Sequence, residues 1–109
     1  MSKVKVVTKL NGKIENYIGI KNKNRIVYMD NDLKVILTLQ DKTLKITREN
    51  SDYLLEISPN KCIYTLKNYG KIVYDIKTMV LKINQNSIKF KYKLNDELFD
   101  LEVNFEVIE

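Results

Sequence analysis

Polar and apolar residues alternate along most of this chain, most plainly in SIKFKYKL (residues 87–94) and ELFDLEVNFEV (residues 97–107), joined by Asn95-Asp96. A period of two is that of a strand with one buried face. Folded on a two-residue turn, the arms set Tyr92 against Phe99, Phe90 against Leu101 and Ile88 against Val103 on one face. On the other face Lys91 meets Asp100 and Lys89 meets Glu102. A slip by one residue would spoil both faces together, so the register is strongly specified.

The same device recurs from the start of the chain. Val4, Val6, Thr8 and Leu10 share a face, opposite Lys3, Lys5 and Lys9. Asn11-Gly12 is a hairpin signal, but a two-residue loop would set Lys9 against Ile14 and Lys5 against Ile18. A three-residue loop, 11–13, pairs Leu10 with Ile14, Val6 with Ile18 and Val4 with Ile20, and is the register the apolar pattern favours. Polar residues 21–24 then connect onward and are the only place for a short helical turn. Residues 25–30 and 33–39 pair Tyr28 with Val35 and Ile26 with Leu37. A loop at 40–43 sets Leu39 against Leu44, Leu37 against Ile46 and Val35 against Arg48. A turn at 49–52 places Arg48 beside Tyr53 and Ile46 beside Leu55. Pro59-Asn60 pairs Ile57 with Cys62, Leu55 with Tyr64 and Tyr53 with Leu66. The loop 67–71 sets Tyr64 against Tyr74 and Cys62 against Ile76. After Thr78 the apolar set continues one residue out of step at Met79, Leu81 and Ile83, which predicts a β-bulge at Thr78-Met79. Beyond it Met79 faces Tyr92, Leu81 faces Phe90 and Ile83 faces Ile88.

The pattern thus predicts an all-β domain over residues 1–109: about ten antiparallel strands in up-and-down order. An even strand number lets the first and last pair, which removes both exposed edges and favours a closed barrel over a two-sheet sandwich. No apolar run approaches the ~20 residues of a membrane-spanning helix and no signal-peptide pattern opens the chain, so the cytoplasm is the expected location. The single cysteine, Cys62, fits that compartment. The net charge is +5, almost all of the cation being lysine rather than arginine. That composition describes a solvated surface with protected edges better than a nucleic-acid face, which leans on arginine forks.

Candidate chemistry is narrowed by absences. There is no histidine, hence no imidazole base, and a single cysteine leaves no ordinary zinc site. The glycines, Gly12, Gly19 and Gly70, are too scattered for a phosphate loop. No catalytic residue, metal or cofactor is therefore expected. What stands out is inward polarity: Tyr28, Arg48, Tyr53, Tyr64, Tyr74, Thr78, Tyr92 and Asn16, with Asp30 a further candidate. A guanidinium inside a barrel is costly unless paired. Arg48 could meet the head of a small acidic or amphiphilic ligand, with Tyr28, Tyr53, Tyr74 and Tyr92 lining the site. Alternatively it could close an internal network with Asp30 and tyrosine hydroxyls, or sit at a barrel mouth with its head in water. The first describes a noncatalytic binding module and the others a structural or protein-interaction scaffold. Cys62 reads as a small buried hydrophobe and Thr78 as a register device at the bulge.

Gly19 precedes I-V-Y-M-D, which puts Tyr28 and Asp30 on a Tyr-x-acidic pattern. I-T-R-E carries Arg48, Y-G-K-I-V-Y-D-I-K-T carries Tyr69, Gly70 and Thr78, and K-Y-K-L carries Tyr92 and Leu94. In these short matches, taken in order, the chain resembles the YwiB-like family of small bacterial proteins. The chain departs from the pattern at Thr65, where the family has a tyrosine (here Tyr64 is the neighbour), and in a shorter final hairpin. The resemblance implies a calycin-like (lipocalin-like) barrel with an internal pocket and implies neither an activity nor a cofactor. It adds Tyr69 and Thr78 to the candidate ligand-binding positions.

Overall fold

The computed structural model describes residues 1–40 and 42–109. Its strands are β1 (Ser2–Leu10), β2 (Lys13–Asn22), β3 (Arg25–Asp30), β4 (Leu33–Gln40), β5 (Thr43–Glu49), β6 (Tyr53–Ile57), β7 (Lys61–Leu66), β8 (Gly70–Ile83), β9 (Ser87–Leu94) and β10 (Glu97–Val107). Each pairs antiparallel with its sequence neighbour, and β1 pairs with β10 to close a ten-stranded barrel. Among the described residues there is no helix; β2 runs to Asn22 and turns at Lys23-Asn24 where a helical turn had room. Of the loop expected at 40–43, Asp41 lies outside the described residues.

Cross-strand pairing follows the alternation wherever the turn chemistry agrees with it. The β9–β10 hairpin has the expected register, Tyr92 on Phe99, Phe90 on Leu101 and Ile88 on Val103, with Lys91 on Asp100 and Lys89 on Glu102 outside. The β3–β4, β4–β5 and β6–β7 registers also stand as the pattern predicts. The bulge is present in β8, with Met79 as the extra residue. Thr78, not Met79, faces Tyr92 there, and the Thr78 hydroxyl donates to the Pro59 carbonyl, which ties the bulge to the β6–β7 turn.

Three expected registers are corrected. The β1–β2 loop has two residues, so Leu10 faces Lys13, Lys9 faces Ile14, Val6 faces Tyr17 and Val4 faces Gly19. Asn11 and Gly12 both hold positive φ, 49° and 89°. These are the values of a tight primed turn, whose twist matches the strands it joins. Ile14, Ile18 and Ile20 consequently point outward, at 61%, 54% and 42% exposure, and Asn16 lies outside too. Glu15, Tyr17 and Gly19 take the inner face. The other two corrections are shifts by two residues. Arg48 pairs with Leu55 and Ile46 with Ile57, because the Asn50 side chain accepts from the amides of Asp52 and Tyr53 and tightens that turn. Tyr64 pairs with Ile72 and Cys62 with Tyr74, because the loop is only 67–69, with Asn68 and Gly70 at positive φ. A shift of two keeps every side chain on its face.

Direct partners form a continuous row round the barrel: Val4, Gly19, Tyr28, Val35, Arg48, Leu55, Tyr64 and Ile72. Val4 is fully buried and Ile72 half exposed, so the row climbs from one end to the other, as strand tilt in a barrel requires. At Gly19 the sheet is drawn close. A Cβ there would sit 2.6 Å from the Val27 carbonyl oxygen. Gly19→Ala is therefore expected to lower stability by about 1–3 kcal/mol in urea unfolding, since backbone cannot step aside as a side chain can. An unchanged midpoint would show that β2 and β3 do not approach this closely.

Candidate functional site

Alternate turns of a meander lie at one end. The turns at Asn11-Gly12, Asn31-Asp32, 50–52, 67–69 and Asn95-Asp96 share one rim, and the chain termini lie at the other. The terminal end is filled by Val4, Val6, Ile26, Leu44, Ile88, Phe90, Val103 and Phe105, all buried. Towards the turn-bearing rim the filling stops and a cavity of about 320 Å³ opens, between Leu10, Glu15, Tyr17, Tyr28, Asp30, Val35, Leu37, Ile46, Arg48, Leu55, Ile57, Tyr92, Phe99 and Leu101. The interior is thus a cup: aliphatic and aromatic walls, with its charges near the mouth. Its volume is at the small end of ligand pockets.

The charges are paired. An Arg48 Nη2 donates to Asp30 Oδ2 at 2.9 Å; the side chains are 33% and 21% exposed. Val35 lies between Tyr28 and Arg48 in the row, and Asp30 is two residues beyond Tyr28 on β3, so Arg48 reaches across β4 to meet it. Asp30 takes only one of five guanidinium N–H groups, and no other side-chain or backbone acceptor within the described residues takes the rest. On β2 the Tyr17 hydroxyl donates to Glu15 Oε2 at 2.9 Å, and Tyr17 stacks on Tyr28 at 4.6 Å between ring centres. Tyr92 stacks between Phe90 at 4.4 Å and Phe99 at 5.1 Å.

Burial pushes the Tyr28 phenol up to about 12; Arg48 opposes that rise, and Asp30 and Glu15 add to it. Burial likewise pushes Tyr92 up to about 12, Cys62 adding and Arg48 opposing. The guanidinium field therefore reaches both hydroxyls. Tyr17 is also pushed up, by burial first and then by its bond to Glu15. Burial raises the Cys62 thiol, which holds it as the unreactive SH form.

Of the positions singled out from sequence, Tyr28, Asp30, Arg48 and Tyr92 come together in the cup. The others do not line it. Tyr53 stacks on Tyr64 at 5.5 Å further along the tilt of the row, Tyr74 packs beside the core opposite Cys62, and Thr78 is engaged with Pro59. Tyr69 is 87% exposed in its turn. Glu15, Tyr17 and Phe99 line the cup without having been candidates. The signal that would have found the first two is Asn11-Gly12, which alone sets the parity of β2. No group of histidine, cysteine or carboxylate side chains among the described residues is arranged to hold a metal ion. No described helix is long and apolar enough to cross a membrane.

These features define the class by its architecture: a closed, ten-stranded antiparallel meander barrel with an internal cup. No family model and no curated protein matches the chain. Among solved structures it is similar to the crystal structure of the ywiB protein from Bacillus subtilis, with a TM-score of 0.61 and 13% identity over 98% of this chain and 89% of that one. Likeness at that identity is a likeness of fold.

Proposed function

We propose that the protein is a noncatalytic binding module of calycin-like, YwiB-like type, which takes a small amphiphilic molecule into the cup with its polar head beside Arg48. The observation that carries this is the unfilled 320 Å³ space above a tightly packed closed end, with a partly used guanidinium at its mouth. A core that served only stability would be expected to fill such a space, since voids forfeit packing energy. The apolar walls suit a hydrocarbon or aromatic body, and the free N–H groups suit a head that accepts hydrogen bonds. Native mass spectrometry of freshly purified protein, with thermal shift against octanol, octanoate and octylamine, tests the reading. Retained ligand or a raised melting temperature supports it. An empty protein indifferent to all three probes overturns it.

One observation favours a scaffold instead: Arg48 already has Asp30. On that reading the pair is structural, and the Arg48→Met variant alone loses about 1–3 kcal/mol by stranding a largely buried carboxylate. The Asp30→Leu/Arg48→Met double variant then recovers that loss, with no change in the binding of any amphiphile. On the binding reading the double variant recovers stability but loses the probe response.

A further inference from the structure

The cup does not present a simple cationic receptor to its ligand. Glu15 and Asp30 enter it together with Arg48, two carboxylates against one guanidinium. Asp30 is spent on Arg48 at 2.9 Å. Glu15 holds the Tyr17 hydroxyl on Oε2, and its Oε1 has only Lys13 Nζ, 3.8 Å away on a side chain 79% exposed to water. A pair that wet contributes little, so Glu15 keeps acceptor capacity at the mouth. Arg48 keeps donor capacity at the same mouth. The stacked Tyr17–Tyr28 pair, 4.6 Å between ring centres, belongs to the same lining and offers aromatic faces that attract a cation.

We infer that the cup selects an amphiphile with a zwitterionic head, its anionic group on Arg48 and its ammonium on Glu15. This rests on the proposed function and goes beyond it by naming the head group. A simple anion gains Arg48 but is repelled by Glu15, and a simple cation gains Glu15 but is repelled by Arg48. A zwitterion satisfies both without breaking the Asp30–Arg48 pair. The apolar tail runs down towards Leu37, Ile46 and Ile57.

Isothermal titration of the unaltered protein with 2-aminodecanoate, decanoate and nonylamine provides the test. The head groups are a zwitterion, an anion and a cation on comparable tails. The zwitterion is expected to bind roughly tenfold more tightly than either single-charge probe, the scale of one charge-assisted hydrogen bond. Glu15→Gln is expected to remove that advantage while decanoate binds as well or better, its repulsion relieved. Decanoate or nonylamine binding the unaltered protein as tightly as 2-aminodecanoate overturns the zwitterion inference and leaves the binding reading standing. An unchanged preference in Glu15→Gln, with melting temperature preserved, overturns the role of Glu15. No binding by any probe overturns the binding reading itself.

Discussion

Phe90→Ala is expected to cost about 3–5 kcal/mol, the range for removing a fully buried aromatic. Phe90 has no exposed surface, stacks on Tyr92 at 4.4 Å, and faces Leu81 on one side and Leu101 on the other. It belongs to the packed zone where the cup ends. Strands on both sides are held by backbone ladders round a closed ring, so the wall cannot collapse inward to fill the gap, and the cavity penalty is retained. Small domains are stable by only about 5–15 kcal/mol, so the variant is expected to unfold at much lower urea with an unchanged slope. Ile18→Thr is the matched control. Ile18 belongs to an equally regular strand but points outward at 54% exposure, so its loss is expected within about 0.5 kcal/mol. Equal effects of the two changes would show that the inside and outside of the barrel have been exchanged at one of these strands.

That contrast marks where the sequence is legible. In β9 and β10 the alternation, the charge pairing and the Asn95-Asp96 turn all demand one register, and that register is found. In β2 two signals conflict. The isoleucines ask for one parity and Asn11-Gly12 for the other, and the turn prevails because two positive φ values in a two-residue loop are cheap for Asn-Gly and fix the twist locally. The inverted strand then places Glu15, Tyr17 and Gly19 inside, and of these Glu15 and Tyr17 give the cup its polar side. Turns 50–52 and 67–69 hid a different fact. Their side-chain and positive-φ geometry tightens each hairpin, which moves partners by two positions but preserves faces. Arg48 was therefore legible as inward although its neighbour was not. The Asp30–Arg48 pair was legible only as one option among several, because a bond between strands separated by β4 depends on how far Arg48 can reach over Val35, and alternation carries no information on reach.

The second large effect is expected at high pH. Tyr28 and Tyr92 are 6% and 5% exposed. Burial raises each phenol from an ordinary value of 10.0 to about 12. The folded protein thus holds both protons more tightly than the unfolded chain does. Their contribution is fully present below pH 10 and is lost as the pH climbs from there to about 12, because only the unfolded chain can ionise freely in that window. At 1.36 kcal/mol per unit each phenol is worth roughly 2–3 kcal/mol, and the two together on the order of 5. That is comparable to the whole stability of a domain this size. Cooperative unfolding between pH 10 and 12 is expected, with tyrosinate absorbance and loss of strand ellipticity rising together rather than in sequence. Tyr28→Phe/Tyr92→Phe removes both titrations while keeping the rings and their stacking, and its transition is expected at higher pH. Arg48 sharpens the test, since its charge favours the phenolates and opposes both rises. In Arg48→Met the two phenols should titrate later still, and the alkaline loss should spread over a wider window. A double phenylalanine variant that unfolds at the same pH as the unaltered protein would show that neither hydroxyl is held in the dry wall of the cup.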